Sequence, residues 1–224
     1  MNEIITSGIV LSTMPIGEYD RRVEILSSEL GRITAFARGA RKPGSPLVSV
    51  TRVFAFGKFT VYQGKSSYSL NSAVISNYFE ELSKDFDLTC YGFYFLELAQ
   101  YFSRENLEAL ELLKLLYYSL TALKSGRINH KLVKSIYELK ILAINGLCPT
   151  LNRLTTGTGV YAFASDLSKG CQKAFQFVTE SSIEKLFSFL LTENVQAEFE
   201  MVVSHLIEQS VDKKMKSLPL LNDL

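Results

Sequence analysis

The chain has 224 residues, 47% of them hydrophobic, and its charges nearly cancel at a formal net +1. That length buries a sizeable core as one large domain or two small ones, and the apolar content excludes intrinsic disorder. No run of about 18 uncharged apolar residues occurs, the start Met1-Asn-Glu-Ile lacks the basic-then-apolar order of a secretion signal, and Cys90, Cys148 and Cys171 are too few and scattered for a disulfide framework, so a cytoplasmic protein with reduced thiols is expected.

The hydrophobic period changes once, near residue 78. Before it, short β-rich runs alternate with turn signals: 6–12, 22–27, 32–37, 52–62 and 67–75. Leu30-Gly31 joins the second and third as a tight hairpin does, and Gln63-Gly64-Lys65-Ser66 joins the last pair. Five short strands in about 75 residues predict a small closed or partly closed barrel, of the oligonucleotide-binding (OB) or the SH3-like type. After residue 78 apolar residues recur at steps of three and four. Phe79, Leu82, Phe86, Cys90 and Phe93 form one stripe of a first helix and Tyr91, Phe95, Leu98 and Phe102 a second. Asn106 is placed to cap a second helix ending at Gly126, and Asn129 a third ending near Gly146. Residues 147–179 lose periodicity and read as a loop with one short hairpin. Ser181 and Glu184 have capping-box spacing ahead of Leu186, Phe187, Leu190 and Leu191, and a last helix starts near Asn194, with Lys213, Lys214 and Lys216 suited to its C-terminal dipole. The expected class is α+β: a barrel over 1–77, then a larger helical domain over 78–224 that includes the loop insertion 147–179.

Charge separates the two parts. Residues 1–77 carry nine basic and five acidic side chains, residues 78–224 fifteen and eighteen. Between Arg21 and Lys65 the basic residues Arg21, Arg22, Arg32, Arg38, Arg41, Lys42, Arg52, Lys58 and Lys65 face only Glu24 and Glu29. Cations gathered on one small β-rich unit neutralise phosphates whatever the base sequence, and interleaved aromatics (Phe54, Phe56, Phe59, Tyr62, Tyr68) offer bases a face to stack on where they are not barrel core. All nine cations are candidate nucleic-acid-binding residues. Arg38, Arg41 and Lys42 stand out, since they lie at a strand end and in a loop that Pro43, Gly44 and Pro46 keep from pairing as a sheet edge.

The series Gly8-Ile-Val-Leu, Gly17-Glu-Tyr-Asp-Arg-Arg, Glu29-Leu-Gly-Arg-Ile-Thr-Ala-Phe-Ala-Arg-Gly-Ala-Arg-Lys and Phe79-Glu-Glu-Leu…Tyr94-Phe-Leu-Glu-Leu resembles the RecO family of bacterial DNA repair and recombination mediators, from about residue 5 to Gly146-Leu-Cys-Pro149. The resemblance implies an OB-type barrel joined to a helical domain. It also implies binding of single- and double-stranded DNA, annealing of complementary strands, and help, together with RecR, in loading RecA onto DNA covered by single-stranded DNA-binding protein, whose C-terminal tail is a further expected partner. Localisation would be cytoplasmic, in association with the nucleoid, with no membrane partner.

The chain departs from the family at its cysteines. Many relatives carry two Cys-x-x-Cys pairs after the third helix, a spacing that holds structural zinc. Here Cys148-Pro-Thr-Leu151 and Cys171-Gln-Lys-Ala174 keep only the first cysteine of each pair, so the two positions read as relicts in a degenerate zinc-ribbon-like loop, packed by Tyr161, Phe163 and Phe175, and no zinc or other cofactor is expected. No catalytic constellation is evident either. Thr156-Gly-Thr-Gly159 falls short of a phosphate loop, His130 and His205 lack a carboxylate at suggestive spacing, and Asp85 with Asp87 reads as a helix start. The reading is a non-enzymatic DNA-binding mediator. The alternative is a protein-interaction adaptor whose basic barrel binds an acidic protein.

Overall fold

The computed structural model describes residues 2–65 and 67–222. Five strands, β1 (Glu3–Ile16), β2 (Asp20–Ser27), β3 (Gly31–Ala37), β4 (Phe56–Gln63) and β5 (Tyr68–Asn77), close into a barrel in the order β1-β2-β3-β5-β4. Every pairing is antiparallel except β3 with β5, which run parallel through Ala35↔Tyr68 and Phe36↔Ser69. This is the OB-type barrel. Period-two alternation is clearest in β3, where Ile33, Ala35 and Ala37 are buried while Arg32, Thr34 and Phe36 stay partly exposed. Val10, Val23, Ile25, Ile33, Phe59, Val61, Tyr68 and Leu70 fill the interior, each large apolar side chain contributing about 1.5–3 kcal/mol by its burial.

Two strands differ from expectation. β1 is longer at both ends, because a bulge between Val10 and Ser12 lets its first half pair with β4 and its second with β2. β4 starts at Phe56 rather than Arg52. Leu47–Val50 forms a short helix, α1, and the chain then turns through Phe54 at φ 71°, whose amide donates to the Val10 carbonyl. Tertiary contacts override the β-propensity of Val53 and Phe54 there. The turn expected over Gln63–Ser66 has its last residue outside the described residues.

The helical elements are α2 (Phe86–Phe102), α3 (Leu110–Ser125), α4 (His130–Ile144), α5 (Leu151–Thr155), α6 (Lys169–Glu180), α7 (Glu193–Ser210) and α8 (Leu218–Asn222). The chain divides into two compact units, Met1–Phe86 with Leu96–Lys114 and Asp87–Phe95 with Leu115–Leu224. Among the described residues no helix is long and apolar enough to cross a membrane.

In the first unit the stretch after α2 fastens to the β2–β3 hairpin. The Arg32 amide donates to Arg104 O, that of Asn106 to Leu30 O and that of Ala109 to Ser28 O. Asn106 therefore does not cap α3: it turns the chain at φ 61°, four residues before the helix begins. Gly31 sits at φ 68°, and a Cβ there would lie 2.0 Å from Arg104 O. Backbone packs where any side chain would stand.

In the second unit α4 is buried from Leu132 to Leu142 apart from Lys134, with α6 and α7 packed against it. Asn129 caps it by accepting from the Lys131 amide. The Tyr137 hydroxyl donates to Phe95 O, the Tyr94 hydroxyl to the Glu138 carboxylate, and Lys134 Nζ lies 2.8 Å from that carboxylate. Of the two stripes read for the first helix, Tyr91, Phe95 and Leu98 are buried, whereas Phe86 and Phe93 are exposed.

The expected loop at 147–179 is largely helical. It contains α5, a 3-10 turn over Gly159–Ala164, and α6, in which Ser168 accepts from the Cys171 amide as cap and Cys171, Ala174, Phe175 and Val178 turn inward. Conversely, the helix expected after Ser181 is only a 3-10 turn, Ile183–Lys185, leaving Leu190 72% exposed. Lys213, Lys214 and Lys216 lie beyond the end of α7 and do not serve its dipole.

Candidate nucleic-acid interface

Chain geometry brings the β1–β2 turn and the loop after β3 together. The amide of Arg41 donates to Tyr19 O at 2.8 Å, Arg41 Nη1 to Gly17 O at 3.3 Å, and the Gly39 amide to an Asp20 carboxylate oxygen at 2.7 Å. Lys42 Nζ stands 5.4 Å from the centre of the Tyr19 ring, within cation–π range. Gly39, at φ 67°, makes the left-handed turn that carries β3 into this loop. Turns from Gly39 O to the Lys42 amide and from Lys42 O to the Ser45 amide continue it as an ordered surface. Arg38, Arg41 and Lys42 are all exposed on it. Among the described residues Arg38 makes no hydrogen bond or ion pair, and this leaves its guanidinium wholly available to an anion.

The other six cations divide by their partners. Arg21 donates to Val48 O and Thr51 Oγ1, and Arg32 donates to Gln100 O at 2.9 Å. Arg22 pairs with Glu24 at 3.0 Å, and that carboxylate also accepts from Ser12 and Gln100. The guanidiniums of Arg21 and Arg32 hold the barrel wall to neighbouring segments, while that of Arg22 pairs within β2. Arg52 is exposed, 3.9 Å from Glu80 and stacked near Tyr78. Lys58 on β4 and Lys65 just after it are exposed. Arg38, Arg41 and Lys42 share one loop, while the other six lie on β2, β3 and β4 and on the segments before and after β4.

Of the aromatics expected to be available for stacking, Phe54, Phe59 and Tyr68 are buried in the barrel. Phe56 is half-buried, as is Tyr62, whose hydroxyl donates to Glu3. Tyr19 went unnoticed in the sequence as an aromatic, yet among the described residues of the barrel it is the exposed one, at 41%. Its signal was available, since an aromatic in a Gly-Glu-Tyr-Asp turn has no strand to bury it. Its hydroxyl is hydrogen-bonded to Glu18, which pushes the phenol above its ordinary range and keeps the ring neutral.

Within the helical unit a cavity of about 360 Å³ is lined by Tyr91, Lys131, Lys134, Ser135, Glu200, Ser204 and Leu221. Burial pushes the Tyr91 phenol up to about 12, so it remains a neutral donor. The two histidines are engaged in packing. His130 makes an edge contact with Tyr91, and His205 stacks on Phe163 at 4.5 Å while Nδ1 meets Met201 O.

The relict cysteines do not fit a zinc ion. Burial pushes both the Cys148 and Cys171 thiols up to about 12, and two cysteines do not fill a tetrahedral shell: among the described residues no group of three or more histidine, cysteine, aspartate or glutamate side chains could hold a metal ion.

A closed barrel in this strand order, with a cationic loop braced against its first turn, defines a protein of the oligonucleotide-binding fold class. Its sequence matches the family models for the Recombination protein O N terminal over residues 1–79 and the Recombination protein O C terminal over residues 83–155. The DNA repair protein RecO of Acetivibrio thermocellus is 28% identical over 247 aligned residues, covering 100% of this chain and 98% of that protein. That of Clostridium kluyveri is 28% identical over 239 residues, covering 98% and 93%. The chain belongs to the RecO family of DNA repair proteins.

Proposed function

We propose that this protein binds single- and double-stranded DNA without sequence preference through the loop carrying Arg38, Arg41 and Lys42, anneals complementary strands, and with RecR assists loading of RecA onto DNA held by single-stranded DNA-binding protein. The observation that carries the binding reading is the exposure of three cations on a loop whose backbone is fixed by Tyr19 O and Asp20, because a preorganised cationic surface loses little entropy on meeting phosphate. An annealing protein needs this kind of grip, since the two strands supply the sequence information themselves. The cavity beside Lys131 and Lys134, with Tyr91 and Leu221 in its wall, supports the helical unit as the seat of an acidic, apolar peptide such as the tail of single-stranded DNA-binding protein. The chain acts as a non-catalytic mediator, in the cytoplasm and in association with the nucleoid. The engagement of both histidines in packing supports the absence of acid–base chemistry.

Fluorescence anisotropy with labelled single-stranded DNA at several salt concentrations tests this reading. The expected result is affinity that falls log-linearly with salt over several phosphate contacts. Absence of DNA binding at low salt would replace it by the adaptor reading, in which the same cations meet an acidic protein.

A further inference from the structure

Phosphate contact alone does not favour an unpaired strand, since a duplex carries more charge per unit length. A group that tells them apart must touch what only the single strand exposes, the faces of its bases. Among the described residues of the barrel, the exposed aromatic beside a cation is Tyr19. Tyr19 lies 41% exposed at the β1–β2 turn, its carbonyl fixed by the Arg41 amide and its ring 5.4 Å from Lys42 Nζ. Met14 and Ile16, on the β1 arm of the same turn, are exposed as well. A large aromatic left in water at a turn tip, with Lys42 beside its ring and Arg41 fixed to its carbonyl, combines the two elements of a non-specific single-strand site: a face for a base and charge for the adjoining phosphates.

We propose that Tyr19 is a base-stacking platform which, with Arg41 and Lys42 gripping the flanking phosphates, adds affinity for unpaired DNA. The assignment rests on the DNA-binding reading above and adds to it a division of labour. Arg38, Arg41 and Lys42 supply affinity for any strand, and Tyr19 supplies the increment that requires a free base. The hydroxyl is incidental to stacking. Phenylalanine serves in its place, and alanine does not.

The test uses the full chain and three probes: an oligothymidylate, an abasic strand of the same length, and a blunt duplex. The unaltered protein is expected to bind the oligothymidylate about 5- to 100-fold more tightly than the abasic strand at matched salt. Tyr19→Ala should lower oligothymidylate affinity to that of the abasic strand while leaving abasic and duplex binding and the melting temperature unchanged, and Tyr19→Phe should behave as the unaltered protein. The chain contains no tryptophan, so Tyr19→Trp introduces a sole indole whose emission should be quenched by oligothymidylate and not by the abasic strand. Equal loss on all three probes in Tyr19→Ala would make the residue a brace for the loop and overturn the proposal. So would an unchanged preference for the base-bearing strand. Failure of the unaltered protein to bind any probe would instead remove the DNA-binding reading itself, and this assignment with it.

Discussion

The guanidinium of Arg32 reaches from β3 to the carbonyl of Gln100 in the last turn of α2, a 2.9 Å bond that places a fixed cation at a helix C-terminus within one compact unit. It separates two kinds of cation that composition alone cannot. Arg32→Ala should cost about 1.5–3 kcal/mol of stability, the range for a hydrogen bond to a charged group. Its effect on DNA affinity at matched folded protein should be small. Urea unfolding beside a DNA titration checks this, and a large affinity loss with unchanged stability would place Arg32 in the binding surface.

The loop trio should behave in the opposite way. Replacing Arg38, Arg41 and Lys42 together by alanine removes only exposed interactions worth about 0–1 kcal/mol each. DNA affinity should fall for every sequence alike, and the salt slope should become shallower by about 0.7 to 0.9 for each phosphate that is no longer neutralised. Annealing should fall with it. An unchanged slope in the folded triple variant would exclude this loop from the DNA site.

Gly31→Ala should be among the most damaging single changes in the barrel unit. The new Cβ meets Arg104 O at 2.0 Å, and the φ of 68° adds about 1–2 kcal/mol of backbone strain. The melting temperature should drop by several degrees, whereas Gly44→Ala, also at positive φ but with open space around its Cβ position, should cost only the strain. Equal losses in the two variants would show that the approach to Arg104 is unimportant.

Acid should weaken the fold partly through Glu29. Hydrogen bonds from Ser28 and then Thr6 hold its carboxyl below the ordinary glutamate range. A pKa depressed in the folded state contributes stability that is fully present above the unfolded value and is lost as pH falls through the folded one. Glu29→Gln should therefore flatten the stability profile on the acidic side and leave its slope above neutrality unchanged. Superimposable acid limbs for the two proteins would count against this.

Purified protein should contain no stoichiometric zinc and keep its melting temperature in chelator, because Leu151 and Ala174 stand where the second cysteine of each pair would be. Elemental analysis giving about one zinc per chain would overturn this.

The sequence made the barrel legible where each strand solves its own problem, as in the strict alternation of Ile33, Ala35 and Ala37. It failed where a distant residue decides. Phe54 reads as strand and is a left-handed turn because Val10 accepts its amide. Residues 169–180 hold helical spacing at Cys171, Ala174, Phe175 and Val178, but the glycines and threonines just before them masked it. The candidate site was legible as charge and not as geometry. Position in the sequence set Arg38, Arg41 and Lys42 apart, but only the structure shows Arg21 and Arg32 bonded to backbone carbonyls. Tyr19 escaped because a search for stacking aromatics follows strands, and strands bury theirs.

The strand order carries a consequence for synthesis. β1 is made first, but one of its two neighbours is β4, and the seam that closes the barrel joins β3 to β5 through two residue pairs. The hairpin of β1 and β2 therefore leaves the ribosome with an unsatisfied edge, and closure waits until residue 77 has emerged. Even then the β2–β3 turn lacks the carbonyl of Arg104 and the amides of Asn106 and Ala109, which arrive some thirty residues later. Nascent chains arrested before residue 77 has emerged should expose the β1 edge to proteolysis and to one another, and those in which it has emerged should protect it.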